Sequence, residues 1–163
     1  MSNDERIAVN RRIAAPADAI FAVVTDPNGH VAIDGSGMLV APEDAAPFRA
    51  VGDTFVMHMD REPLGDIPLC KYDVLNTCTR IEEGTLVEWA VGAPGRTPIG
   101  HVYGWKLDAV SDTETDVTNY CDWSGLNPKL QGKITFPVVP ARMLDASLDR
   151  LAEVMAAGTS YGA

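Results

Sequence analysis

The amino-acid sequence predicts one α+β domain, in which a curved antiparallel sheet of about six to seven strands wraps around a long C-terminal helix. Apolar and polar residues alternate through most of the chain, as is typical of half-buried antiparallel strands. An apolar stripe with the helical period occurs near the C-terminal end, and only short helical segments follow the first strand. A length of 163 residues suits a single domain over 1–163, since one core can cover it.

The chain is expected to open with an edge strand and two short helices. Residues 5–13 alternate apolar side chains with charged ones, which is an edge-strand pattern. Pro16 suits the first position of a helix, and the turn-forming run 26–29 interrupts that helix. A second helical turn is predicted over 30–34.

The middle of the chain contains further strand patterns separated by turn residues. We predict a short strand near 37–40 and longer strands over 54–59, 70–81 and 84–92. The segment 60–69 contains two prolines and a glycine, which predicts a long connection at a rim or flap.

An aromatic hairpin and a terminal helix complete the pattern. The run 99–123 alternates like two paired strands whose inward face carries His101, Tyr103 and Trp105 on one strand and Trp123 on the other. After a proline-bounded connector over 128–140, a helix is predicted to end near Gly158. Its apolar stripe consists of Leu144, Leu148, Leu151 and Met155.

Composition excludes several functional classes. Apolar residues at 46% and charged residues at 22% are ordinary for a globular protein, and no apolar run approaches the roughly 20 residues of a membrane span. The acidic and arginine-rich start lacks a secretory pattern, which predicts a cytoplasmic location without integral membrane association. A net charge of −10 and a pI near 4.6 argue against nucleic-acid binding.

Neither a metal nor a cofactor is predicted. The cysteines Cys70, Cys78 and Cys121 do not have metal-ligand spacing and are expected to be reduced, mostly buried thiols. The histidines also lack ligand spacing, so we expect no metal. The chain contains neither a P-loop nor a GxGxxG motif, which argues against a nucleotide cofactor.

The order of elements resembles the START and polyketide-cyclase-like superfamily, also known as SRPBCC or helix-grip proteins. The resemblance covers nearly the whole chain and looks closest to an uncharacterised actinobacterial polyketide-cyclase or dehydrase-like branch. It implies a sheet that grips the C-terminal helix and leaves a cavity between them. The motifs that carry it are RRIAAPADAIFAVVTDP at 11–27, IDGSGM at 33–38, VGDTFVMHM at 51–59, GHVYGWKL at 100–107, TDVTNYCDWS at 115–124 and ASLDRLAEVM at 146–155.

The candidate ligand-binding residues are the inward positions of these strands and of the helix. A filled core has the same periodicity, whereas the superfamily resemblance favours a cavity. Methionine adapts to irregular ligands, and tryptophan and tyrosine combine apolar area with a polar group. The predicted lining residues are Phe55, Met57, Met59, Tyr72, Val74, Trp89, His101, Tyr103, Trp105, Asn119, Cys121, Leu144 and Ser147.

Three residues are candidates for proton transfer: His101, Asp34 and Tyr103. His101 begins the aromatic face, where it would contact a ligand carbonyl or hydroxyl, although a strand-end histidine with a backbone partner fits the same position. His30 and Asp34 are four apart on a helical segment, which permits an ion pair or an acid–base couple as well as simple helix capping. His58 is expected on the outer face without a role.

Three functional hypotheses follow, in decreasing order of support. The first is a protein that binds a hydrophobic small molecule such as a lipid, a polyketide or an aromatic metabolite. The second is a cofactor-independent cyclase or dehydratase, and the third is a protein-interaction module with an exposed apolar patch and little internal volume. Outward-facing Val56, Val102 and Tyr120 leave a homodimer open.

Overall fold

A computed structural model of the chain describes residues 5–43, 46–66, 71–158 and 161. Short 3₁₀ turns at Glu62–Leu64 and Pro128–Leu130 lie in the connections. The strands and α-helices within the described residues are β1 (Arg6–Ile13), α1 (Ala17–Thr25), α2 (Pro27–Ile33), β2 (Leu39–Glu43), β3 (Thr54–Asp60), β4 (Lys71–Glu82), β5 (Leu86–Gly92), β6 (Val102–Ser111), β7 (Glu114–Asp122) and α3 (Ala141–Ala157).

The strands form one seven-stranded sheet in the order β1-β7-β6-β5-β4-β3-β2, and every neighbouring pair is antiparallel. After the helices, each strand pairs with the next one in sequence, and β1 returns to pair with β7. The predicted α+β class, the strand number, the two short helices and the long terminal helix are confirmed. The strand predicted over 5–13 does lie at a sheet edge.

Helix α3 packs against β1, β7 and α2 through its apolar stripe. Leu144, Leu148 and Leu151 are buried, and Met155 is partly buried, as the helical period predicts. Gly158 ends the helix with a φ of 70°, a left-handed conformation that glycine adopts without a steric cost. The long helix therefore holds the concave face of the sheet at one end and leaves the rest of that face open.

The second helix begins earlier than predicted. Pro27 is its first residue, and the side chain of Asp26 accepts a hydrogen bond from the Asn28 amide at 2.8 Å. An aspartate N-cap followed by proline is a favourable helix start. The run 26–29, interpreted as a helix break alone, both ends α1 and begins α2.

The strand predicted near 37–40 lies instead at Leu39–Glu43. The Asp34 carboxylate accepts hydrogen bonds from the amides of Ser36 and Leu39 at 2.9 and 3.0 Å. Because these bonds hold the intervening residues in a turn, pairing with β3 begins only at Leu39.

The β6–β7 hairpin has the predicted facing. Tyr103 pairs with Cys121 and Trp105 with Asn119, so these four side chains share the concave face. Trp123 departs from the prediction, because β7 ends at Asp122 and its indole stacks on Phe136, with ring centroids 5.5 Å apart.

The convex face of the sheet bears on the dimer hypothesis. Tyr120 points outward but is only 2% exposed, since the Arg6 guanidinium lies 3.9 Å above its ring. It therefore offers little apolar surface to a second subunit.

No helix within the described ranges is long and apolar enough to cross a membrane.

Candidate functional site

A cavity of about 800 Å³ lies between the concave face of the sheet, α2 and α3. Strands β3 to β7 supply one wall, and the connector before α3 supplies part of the other through Phe136 and Val139. Small-molecule sites in proteins typically have volumes of about 300 to 1,000 Å³. The space is therefore large enough for a ligand of several rings.

Most of the predicted ligand-binding residues line this cavity, although their contact with a ligand stays a prediction. They come from the five strands β3 to β7, from the residue before β6 and from α3. The predicted residues in the cavity wall are Met57, Met59, Tyr72, Val74, Trp89, His101, Tyr103, Trp105, Asn119, Leu144 and Ser147.

Phe55 and Cys121 are not among the lining residues, which corrects two of the predicted positions. Phe55 points inward but packs against the Phe48 ring at a centroid distance of 4.9 Å. Cys121 is fully buried and hydrogen-bonded to the Tyr103 side chain, which lies on the cavity side. Both residues therefore point to the predicted side of the sheet, but they are packed in the core and do not border the cavity.

His30 belongs to an aromatic cluster beside the cavity. Its ring lies 4.6 Å from Trp89 and 5.5 Å from Phe55, measured between centroids. Its Nε2 donates to the Val24 carbonyl at 2.6 Å, and burial lowers its pKa to about 4. His30 is therefore neutral at pH 7, with Nδ1 as its hydrogen-bond acceptor.

The predicted couple between His30 and Asp34 does not form. Asp34 also lines the cavity, but its carboxylate accepts hydrogen bonds from the amides of Ser36 and Leu39 and, at 2.6 Å, from the Ser36 hydroxyl. The capping interpretation of this aspartate is the one that the contacts favour. A carboxylate held by several local donors is poorly placed to move a proton on a ligand.

His101 lies in the cavity wall among aromatic rings. Its ring centroid is 5.0 Å from that of Phe136 and 5.8 Å from that of Tyr103. Burial alone lowers its pKa to about 4, so the imidazole is neutral at pH 7. Its Nδ1 is buried and has no hydrogen-bond partner in the described part of the chain.

Tyr103 is deep within the molecule yet keeps accessible surface, because one side of it faces the cavity. Burial raises its pKa well above the ordinary value, and its hydroxyl is hydrogen-bonded to Cys121. The phenol therefore stays protonated at neutral pH. It provides a neutral hydroxyl near the ligand space rather than a base.

The charged groups of the cavity lie at its rim. Arg61 binds Asp66 through two hydrogen bonds of 2.9 and 2.7 Å and also contacts the Tyr72 hydroxyl. These residues belong to, or flank, the 60–69 connection that the sequence predicts as a rim or flap. Cys70, one of the three cysteines, lies outside the described residues, whereas Cys78 and Cys121 are buried free thiols.

Ser147 anchors the α2–β2 loop to the terminal helix. Its hydroxyl accepts a hydrogen bond from the Gly35 amide at 2.8 Å and donates to the Met143 carbonyl at 3.3 Å. A side chain at position 35 would collide with α3, since a Cβ there would lie 2.3 Å from the Met143 carbonyl oxygen. Ser147 thus shapes the cavity by holding this loop close.

Sequence analysis missed some of the cavity residues. Asn76 follows Tyr72 and Val74 by the same two-residue step, so alternation along β4 would have included it. Phe136 and Val139 lie in an irregular connector, where no periodicity indicates facing. His30 shares a helix face with the buried Ile33, three residues later, which was an available indication of burial.

Solved structures of other proteins superpose on nearly the whole of this chain. Protein Ms6760 from Mycobacterium smegmatis superposes with a TM-score of 0.67 at 13% identity, over 95% of this chain and 93% of that one. The architecture is a helix-grip fold. Norcoclaurine synthase from Thalictrum flavum, solved in complex with dopamine and hydroxybenzaldehyde, superposes with a TM-score of 0.62 at 17% identity, over 95% and 88% of the two chains.

Sequence comparison finds a curated relative, but that relative has no assigned function. The uncharacterized protein Rv0088 of Mycobacterium tuberculosis is 28% identical over 158 residues, which is 94% of this chain. The chain spans 65% of the length of that curated relative. No protein-family model matches the sequence. The resemblance to the superfamily is supported at the level of fold, and the actinobacterial branch stays a prediction.

Proposed function

We propose that this protein binds a hydrophobic small molecule in the cavity between the sheet and α3. The observation that carries the proposal is the volume of about 800 Å³ enclosed largely by apolar and aromatic side chains. Trp89, Trp105 and Tyr103 offer flat surfaces to aromatic rings, and Met57 and Met59 adapt to irregular shapes. A solved helix-grip structure with dopamine and hydroxybenzaldehyde bound supports the capacity of this fold for aromatic molecules.

The interaction-module hypothesis receives less support than ligand binding. That hypothesis expected little internal volume and a contiguous apolar patch on the surface. The large apolar residues that are exposed within the described ranges are Val40 on β2, Val51 in the connection before β3, and Val110 on β6. Single exposed apolar residues of this kind are normal for a protein surface.

One observation favours the cofactor-independent cyclase or dehydratase as a second candidate. The imidazole of His101 is neutral at pH 7, and its Nδ1 has no hydrogen-bond partner among the described residues, so it can accept or donate a proton in the cavity wall. Under this alternative, His101→Gln reduces the turnover of a poly-β-carbonyl substrate at least a hundredfold while binding changes little. Equal turnover by the two proteins would rule out His101 as the acid or base.

A fluorescent probe and a cavity-filling variant test the binding proposal. The uncharged probe N-phenyl-1-naphthylamine fluoresces in apolar surroundings, so titration reports its entry into the cavity. Val91 lines the cavity, and Val91→Trp is expected to weaken probe binding at least tenfold by occupying that space. The matched control is Val110→Trp, at a strand position that is 46% exposed.

The expected result is saturable binding by the parent protein and by the Val110→Trp variant. Weak binding is expected for Val91→Trp only, with thermal unfolding showing that all three proteins are folded. Equal probe affinity in all three would place the probe elsewhere and overturn the proposal.

A further inference from the structure

Three polar atoms in residues of the cavity wall are buried and have no hydrogen-bond partner among the described residues. They are Asn76 Oδ1, Asn119 Oδ1 and His101 Nδ1, and their residues are only 5%, 4% and 9% exposed. Buried polar atoms in proteins are nearly always paired. Three exceptions beside one cavity indicate partners that the described residues do not provide.

The orientation of Asn119 defines what kind of partner it needs. Its Nδ2 donates a hydrogen bond to the Gly104 carbonyl at 3.3 Å. A carbonyl oxygen cannot donate, so the amide cannot be turned the other way, and Oδ1 is the free acceptor. The partner of Asn119 must therefore carry an O–H or N–H group.

The two asparagines lie well apart along the sheet. Asn76 is on β4 and Asn119 is on β7, with β5 and β6 between them. Neighbouring strands are about 4.8 Å apart, and the ladders offset the two positions by about four residues along the strands, so they are separated by up to roughly 19 Å along the curved surface. Two donors on adjacent ring atoms cannot reach both acceptors. His101, immediately before β6, lies between them in strand order and can serve either as donor or as acceptor.

Within the described residues, the Lys and Arg side chains that line the cavity are Arg61 and the exposed Lys133, and neither is a buried counter-charge for an ionised ligand. His30 and His101 are neutral at pH 7, because burial lowers the pKa of each to about 4. Arg61 is paired with Asp66, and the Asp34 carboxylate is bound to its own loop. A carboxylate that entered beyond the reach of Lys133 would lose its hydration without gaining an opposite charge.

We propose that the cavity takes an uncharged, elongated aromatic molecule that carries hydrogen-bond donors, such as phenolic hydroxyls, towards both of its ends. One donor pairs with Asn119 Oδ1 and the other with Asn76 Oδ1. The apolar middle of the molecule lies against the tryptophans of the wall. This inference rests on the proposed function, since it names the chemical class of the molecule bound at the same site.

A series of stilbenes with one shared apolar core tests the inference. The four probes are trans-stilbene, 4,4′-dimethoxystilbene, 4,4′-dihydroxystilbene and stilbene-4,4′-dicarboxylate. Their affinities are measured by quenching of tryptophan fluorescence, since Trp89 and Trp105 lie in the wall. We expect the dihydroxy compound to bind at least tenfold more tightly than the dimethoxy compound, and the dicarboxylate to bind most weakly.

Variants of the asparagines assign the preference to particular atoms. Asn119→Leu and Asn76→Leu keep the side-chain volume and remove the acceptor, so each is expected to reduce the preference for dihydroxystilbene about tenfold. The readout is the ratio of the affinities for dihydroxystilbene and unsubstituted stilbene, and thermal unfolding shows that each variant is folded. Asn10→Leu, on the other face of the sheet, is the matched control and leaves the preference intact.

The possible failures are distinguishable. Equal affinity for the hydroxylated, methoxylated and unsubstituted compounds would overturn this inference while the proposed function stands. Retention of the hydroxyl preference in both leucine variants would likewise overturn it. Binding of none of the four compounds would contradict the proposed function together with the inference.

Discussion

The polar side chains on the two faces of the sheet differ in how they are hydrogen-bonded. On the convex face, Asn10 donates to the Thr118 hydroxyl at 2.9 Å, and Arg12 forms two hydrogen bonds with Asp116. On the concave face, Oδ1 of the buried Asn119, next to Thr118 in sequence, has no hydrogen-bond partner among the described residues. These exposed polar groups of the convex face are paired with one another, whereas this buried amide oxygen of the concave face is not.

The tyrosines of neighbouring strands show the same contrast. Tyr120 on the convex face donates to Glu88 at 2.7 Å, and Glu88 also accepts from Thr79 at 3.0 Å. Tyr103 on the concave face is hydrogen-bonded to the side chain of Cys121, which is a weak acceptor. The convex network stabilises the sheet, and the concave groups remain available to a bound molecule.

The largest expected effect is on the pH dependence of the unfolding free energy, to which the buried histidines and the exposed His58 contribute in opposite directions. The folded-state pKa of His30 and of His101 is about 4, against an ordinary value of 6.5. As the pH falls, the unfolded chain therefore binds protons at these histidines before the folded chain does. The stabilisation that the neutral buried imidazoles provide is complete above pH 6.5 and is lost as the pH falls towards 4. We expect a decrease in unfolding free energy of about 3 kcal/mol for each histidine.

The outer histidine is expected to respond in the opposite direction. The hydrogen bond with Asp73 raises the pKa of His58, so its contribution is present at low pH and is lost as the pH rises through the raised value. Urea unfolding between pH 7.5 and 4.5 measures both effects, with His101→Phe and His58→Gln as the variants. If His101→Phe has the same pH slope as the parent protein, the neutral buried state of His101 is wrong.

A smaller effect is expected from Gly104→Ala, which disturbs the convex face only. A Cβ at this position would lie 2.3 Å from Cζ of Tyr120, whose ring is packed directly over the glycine. We expect a loss of about 2 to 3 kcal/mol in unfolding free energy, measured by urea titration. The same change in a Tyr120→Ala background is expected to cost less than 1 kcal/mol. Equal costs in the two backgrounds would contradict the assigned clash.

Removing the hydroxyl of each tyrosine sharpens the contrast between the faces. Tyr120→Phe removes a hydrogen bond to a carboxylate and is expected to cost about 1 to 2 kcal/mol of unfolding free energy. Tyr103→Phe removes a bond to a thiol and is expected to change stability by less than about 0.5 kcal/mol. Thermal and urea unfolding of both variants checks this order, and a reversed order would refute it.

The smallest expected effect is a gain in stability. Asn76→Leu removes a buried amide oxygen that has no hydrogen-bond partner among the described residues, so the ligand-free protein should become more stable by about 1 kcal/mol. Asn10→Leu, at an exposed paired position, should cost about 0.5 kcal/mol. A loss of stability in Asn76→Leu would show that its amide is paired within the protein.

Periodicity predicted the fold because strand alternation and the helical stripe of α3 depend only on which face meets the core. Facing along a regular strand also follows from alternation, so Trp89, Trp105 and Asn119 could be placed before the structure was known. Whether an inward residue borders a space or a neighbour depends on three-dimensional packing. For this reason Phe55 and Cys121 were placed on the correct face and yet do not line the cavity.

Features set by local hydrogen bonds were harder to predict. The start of α2 depends on the Asp26 cap, and the start of β2 depends on the bonds that Asp34 accepts. The burial of His30 follows from its packing on Trp89 and from its bond to the Val24 carbonyl, neither of which has a sequence motif. Phe136 forms part of the cavity wall but lies in an irregular connector, so its position could be known only from the structure.

Native mass spectrometry of freshly purified protein tests the central claim most directly, with denaturing extraction of whatever small molecule it carries. The protein is first incubated with an extract of lipids and aromatic metabolites, beside the Val91→Trp variant with its filled cavity. We predict one uncharged molecule per parent chain, released on denaturation and absent from Val91→Trp. A parent protein without bound mass, or one whose bound mass is unchanged in Val91→Trp, would contradict a ligand site in this cavity.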